Sequence, residues 1–174
     1  MHPRISEALD YVEKQTANLH VAYESVPPEQ RGVRKDPSRW SPAEVVRHVA
    51  MVERRLAKLL TVLVAQARAL PPETETTSAM TSQSTTKAFD RTDRFVTADA
   101  TEPRDSDPTR VWDDLMDARQ EIVRVINTGD GLALGAVSIA HPFLGGLNGY
   151  EWIAFVGSHA ARHADQIREM NLAR

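Results

Sequence analysis

Apolar residues recur along most of this chain at alternating steps of three and four. That spacing puts them on one face of an α-helix and on no single face of a strand, so it constrains the fold more than any other feature. Ile5, Leu9, Val12, Thr16, Leu19, Tyr23 and Val26 make the first stripe, and Pro27-Pro28 stops it. A proline donates no amide hydrogen and disfavours a helical residue before it. Ser41-Pro42-Ala43-Glu44 then opens a second helix: serine to cap, proline in the first turn, glutamate where a capping box wants it. Val45, Val49, Val52, Leu56, Leu59, Leu63 and Leu70 carry this stripe towards Pro71-Pro72. Asp107-Pro108 repeats the cap-then-proline start ahead of Val111, Leu115, Ala118, Ile122 and Val125, with Gly129 and Gly131 as the stop. Asn148-Gly149-Tyr150-Glu151 opens a fourth helix through Trp152, Val156, His159, His163, Ile167 and Met170.

Stripes of this spacing favour nearly aligned helices, so the expected fold is all-α, a four-helix bundle. A length of 174 residues suits one domain over residues 1–174. Residues 71–107, rich in Thr, Ser, Asp and Pro, read as a long connection with a short helix from about Thr85 to Phe95. The Gly-rich, apolar crossing from Gly131 to Gly149 reads as a loop packed over one end of the bundle in preference to a short strand, which it could also hold.

Composition removes several function classes. A net charge of -3 and an aromatic content of 6% supply neither a basic groove nor stacking platforms, so no nucleic-acid partner is expected. Mean hydropathy is -0.40, and nothing approaches the ~18 consecutive apolar residues of a membrane span, so no membrane partner is expected either. Met1-His2-Pro3-Arg4 lacks the apolar run of a signal peptide, which makes the cytoplasm the expected location. Cysteine is absent, and with it disulfides, thiolate ligands and any cysteine nucleophile of the chain's own.

The chemistry concentrates in histidine. His159 and His163 lie four apart, on the stripe that should face the core. An unsatisfied buried polar group costs about 1–3 kcal/mol, so a carboxylate, a water or a metal should meet them. A lone H-x-x-x-H is more often a surface pair or a hydrogen-bonded core pair than a metal site. His48, beside Val45, Val49 and Val52 on the second helix, changes the balance. Three neutral imidazoles from two helices make a facial nitrogen site suited to Zn²⁺, Ni²⁺ or Fe²⁺. Gln166 shares the histidine face and is a weak catalytic candidate for orienting a water or substrate; a hydrogen-bonding core glutamine is an equal reading. Capping already accounts for Glu44, while Arg162 and Asp165 should face away from the site. His141 reads as part of a structural turn against Trp152, Trp40 as packing at the bundle end, and His2 and His20 as incidental.

Three elements together carry a family resemblance: Trp40 to His48 (WSPAEVVRH), His141-Pro142-Phe143-Leu144-Gly145, and Glu151-Trp152 followed by His159 to Ile167 (HAARHADQI). In this order they resemble the DinB/YfiT-like four-helix proteins, described as metal-dependent enzymes, over most of the chain. The resemblance implies a divalent metal, commonly zinc or nickel, on His48, His159 and His163. It also implies activation of a low-molecular-weight thiol for transfer to a small electrophile, as in bacillithiol-dependent transfer or mycothiol-dependent isomerisation. Hydrolysis is the competing reaction, and a non-catalytic metal-binding stress-response or interaction module the alternative function. Relatives often pair through bundle helices, so a homodimer fits the resemblance, although the stripes do not separate an internal core from a partner surface.

Overall fold

Four long helices carry the chain in the computed structural model, which describes residues 1–71, 79–90, 101–104 and 106–172. They are α1 (Pro3–Glu24), α2 (Pro42–Gln66), α3 (Val111–Thr128) and α4 (Gly149–Leu172). Two of the starts are closed by reciprocal hydrogen bonds. At α2 the Glu44 amide donates to Ser41 Oγ, and the Ser41 amide to Glu44 Oε2 at 2.7 Å. At α4 the Glu151 amide donates to Asn148 Oδ1, and the Asn148 amide to Glu151 Oε2 at 2.9 Å. Each box satisfies two backbone donors that a helix start otherwise strands.

Other boundaries differ from the expectation. Asp107 does not cap α3: its carboxylate accepts from the Thr109 amide and hydroxyl, holding a turn, and the helix begins three residues after Pro108 at Val111. Helix α2 stops at Gln66, so Leu70 lies beyond it, where its amide donates to the Gly131 carbonyl. In the connection, a helical turn widened by a bond from the Lys87 amide to the Ser82 carbonyl covers Gln83–Lys87. It starts earlier than the expected helix near Thr85, and residues 91–95 of that expectation lie outside the described residues.

The crossing before α4 is the clearest correction. It is an antiparallel hairpin rather than a loop, with β1 (Ser138–His141) paired to β2 (Gly145–Asn148) so that Ser138 faces Asn148 and His141 faces Gly145. The architecture is mostly helical with this small sheet added. Leu147 is buried, and Trp152 Nε1 donates to the Ile139 carbonyl at 3.2 Å, so α4 holds the hairpin down.

Cross-helix contacts give the order up, down, down, up. Tyr11 pairs with Ser158, Asn18 with Arg168 and Ser25 with Asn171, so α1 and α4 run parallel. Arg47 pairs with Asp114 and Glu53 with Arg119, so α2 and α3 do too. Parallel neighbours need a connection as long as the bundle: the 25 residues of α2 span about 37 Å. This is the physical reason for the long segment between α2 and α3. Its described part is strapped down where the Ala79 amide donates to Glu7, Thr81 to Glu151, and Ser158 to the Ser84 carbonyl.

Apolar burial falls into two clusters. One gathers Ile5, Leu63, Ile122 and Ile153 near the hairpin end; the other gathers Leu19, Val45, Leu115 and Ile167 near the opposite end. Helices α1 and α4 meet closely at Gly157, where a Cβ would sit 2.7 Å from the Tyr11 ring and 3.2 Å from Val12 Cα. No described helix is long and apolar enough to cross a membrane.

Candidate metal centre

His48 enters the site from the second turn of α2, on a helix held at its start by the Ser41–Glu44 box. His159 and His163 enter from one face of α4, a helical turn apart. Their rings converge. Centroid separations are 5.3 Å for His48–His159, 5.0 Å for His48–His163 and 4.5 Å for His159–His163. One nitrogen from each ring lies within 4.8 Å of the others. The Nε2 atoms of His159 and His163 are 3.2 Å apart. Two nitrogens each at zinc-bonding distance and sharing an ion stand about 3–3.4 Å from one another, so this pair has a ligand-pair separation.

Surrounding groups fix what the rings offer. The His48 Nδ1–H donates to the Thr101 carbonyl at 2.8 Å, a main-chain acceptor supplied by the connection. The His163 Nδ1–H donates to Gln166 Oε1 at 2.7 Å. Both rings therefore direct an unprotonated Nε2 elsewhere, the arrangement in which outer hydrogen bonds orient metal-binding histidines. His159 Nδ1 is shielded from solvent and has no hydrogen-bond partner among the described residues.

Electrostatics favour the neutral form of His48 and His159. Burial pushes the His48 imidazole below its ordinary value of 6.5, with the Thr101 carbonyl opposing. His159 falls well below that value, first through burial and then through His163, His48, Arg162 and His141. A histidine must be unprotonated to ligate, so these environments favour the competent form. Three neutral nitrogen donors fit a borderline divalent ion, and they leave its charge unbalanced, which favours an anionic fourth ligand.

Other sequence candidates fall around this centre. Gln166 faces His163 rather than open space. Glu44 is occupied by its cap and by Arg34, whose Nε donates to it at 2.8 Å. Asp165 pairs with Arg168, away from the histidines. His141 Nδ1 accepts from the Phe143 and Leu144 amides inside the hairpin turn, and its ring lies 5.4 Å from Trp152. His2 caps α1 by accepting from the Arg4 amide, and His20 stacks on Trp112.

Two features went unread in the sequence. The Trp40 ring packs 4.8 Å from the His48 ring and forms one wall of a cavity of about 300 Å³, whose lining also includes Val26, Lys35, Arg39 and Met170 but none of the three histidines. Glu53, fully buried, forms a bidentate pair with Arg119, whose guanidinium also reaches Thr16 and the Val12 carbonyl. Arg119 engages both carboxylate oxygens, which leaves Glu53 no role as a ligand. A charged residue on an apolar stripe was the available signal for Glu53, and Trp40 preceding the Ser41 cap was the signal for the ring contact.

A family model described as the DinB superfamily matches residues 11–167. The fold is similar to the crystal structure of TT2238, a four-helix bundle protein, with a TM-score of 0.61 and 20% identity over 94% of this chain and 96% of that chain. No curated protein matches.

Proposed function

This chain belongs to the DinB superfamily, and from that premise we propose that it is a metal-dependent enzyme acting on a small-molecule thiol and a small electrophile. The observation that carries the reading is the convergence of His48, His159 and His163 from two helices, with outer acceptors already engaging two of them. When bound, a divalent ion such as zinc or nickel supplies Lewis acidity, which brings the pKa of a coordinated thiol or water towards neutrality. The protein residues hold and tune that site. His48, His159 and His163 donate nitrogen, burial keeps His48 and His159 uncharged, and Thr101 and Gln166 orient the rings. The chain has no cysteine, so the thiol belongs to a cosubstrate.

Elemental mass spectrometry of untagged protein tests the first half. Wild type is expected to carry about one divalent ion per chain, and the His159→Ala/His163→Ala variant none. Turnover of a cysteinyl thiol with an aryl halide or an epoxide, by the metal-loaded wild type only, tests the second. A wild type that neither carries nor takes up Zn²⁺, Ni²⁺ or Fe²⁺ sinks the proposal.

A further inference from the structure

We infer that Gln166 is a positioning residue that sets the tautomers of both α4 histidines, and so decides which nitrogens they offer to a metal; the inference rests on the metal reading above. The Gln166 Oε1 atom is 2.7 Å from His163 Nδ1. An amide oxygen only accepts, so His163 Nδ1 carries a proton; in the neutral ring, the form that can ligate, that proton is the single one and Nε2 is a bare lone pair. That lone pair faces His159 Nε2 at 3.2 Å. Two bare nitrogens at this distance would repel, so in the metal-free protein His159 holds its proton on Nε2 and donates it to His163. His159 Nδ1, the buried atom without a partner among the described residues, is then the unprotonated one. One glutamine thus orders a chain of hydrogen bonds running from residue 166 to 163 to 159.

The two ligands are consequently unequal. His163 is preorganised for Nε2 ligation, as His48 is by the Thr101 carbonyl. His159 must hold its proton on Nδ1 instead of Nε2, with no net release, before its Nε2 can ligate. Without an acceptor at residue 166, His163 loses the bias against holding its proton on Nε2, the nitrogen that ligation needs free. The contact spans one helical turn within α4.

Zn²⁺ affinity measured by competition against a chromophoric chelator tests this with Gln166→Leu and Gln166→Glu. The leucine removes the acceptor and is expected to weaken zinc binding by about 10–100-fold. The glutamate keeps an acceptor that cannot donate when ionised, and is expected to bind at least as tightly as wild type. Long-range proton–nitrogen correlation spectra of the metal-free wild type should show His163 protonated on Nδ1 and His159 on Nε2, and Gln166→Leu should lose that pattern. Equal zinc affinity in wild type and Gln166→Leu, Gln166→Glu binding no better than the leucine, or an Nε2-protonated His163 would each overturn the role of Gln166. A wild type that takes up none of Zn²⁺, Ni²⁺ and Fe²⁺ would overturn the metal reading instead, while the tautomer spectra would still decide what Gln166 does.

Discussion

His48 and His159 both resist protonation in the folded chain, and this gives the protein a pH dependence of definite sign. Their ordinary value is 6.5, and folding lowers both, chiefly through burial. Above that value neither state gains a proton and their contribution to stability is complete. As pH falls below it, the unfolded chain takes up protons that the folded chain refuses, and stability is lost. Metal-free protein is therefore expected to melt at progressively lower temperature from about pH 7 to about pH 5, and His159→Phe to flatten that slope. An unchanged slope in the variant would contradict the assignment. Glu53 and Arg119 make a second residue-scale case. Burial pushes the Glu53 carboxyl up while the Arg119 guanidinium opposes. Glu53→Ala strands a buried guanidinium and is expected to cost about 3–5 kcal/mol in urea denaturation. Glu53→Leu combined with Arg119→Met should recover most of that loss, because two apolar side chains leave no buried charge unpaired. His159 and His163 were legible because their spacing is local and falls on an apolar stripe, and His48 because it sits beside the stripe of α2 in the Trp40 to His48 element. Glu53–Arg119 was not, since its partners stand 66 residues apart and meet only when α2 and α3 lie parallel.

At the scale of elements, the helix starts that form reciprocal boxes are those written by a Ser or Asn followed three residues later by Glu. Ser41→Ala should cost about 1 kcal/mol by leaving a backbone donor of α2 without its acceptor, measurable as a shift in denaturation midpoint. Helix α1 meets α4 through a glycine for a reason of space: Gly157→Ala would drive a methyl into the Tyr11 ring and against Val12 Cα. The expected penalty is about 1–3 kcal/mol from forced separation of α1 and α4. A Gly157→Ala protein as stable as wild type would mean that the two helices have slack there. The hairpin shows where element-scale reading fails. Gly145 and Gly146 sit in β2 opposite His141 and Ala140, and glycine weakens a strand when judged alone. Pairing, burial of Leu147 and the Trp152 hydrogen bond stabilise strands that local preference disfavours. Asp107 shows the same limit at a helix start, because Asx turns and N-caps use the same residue type.

The whole molecule brings α2 and α4 together antiparallel, and the candidate centre joins them. An ion bound only by the folded chain stabilises it by mass action, about 2.7 kcal/mol when free metal is 100 times its dissociation constant. For a domain of this size that corresponds to a rise of about 5–10 °C in melting temperature. Zinc should produce this rise in wild type, a chelator should reverse it, and His163→Ala should abolish it. The amino-acid sequence by itself determined where helices run, how two of them begin, and that His159, His163 and Gln166 share a face. All of these depend on spacings of a few residues, which the helical backbone converts directly into geometry. Tertiary structure alone decided the parallel pairings α1–α4 and α2–α3, the hairpin, the burial of Glu53 against Arg119, and the approach of His48 with its Thr101 carbonyl to the α4 histidines. Those contacts join residues far apart in the chain, and their energies depend on how whole faces pack, which no local spacing encodes.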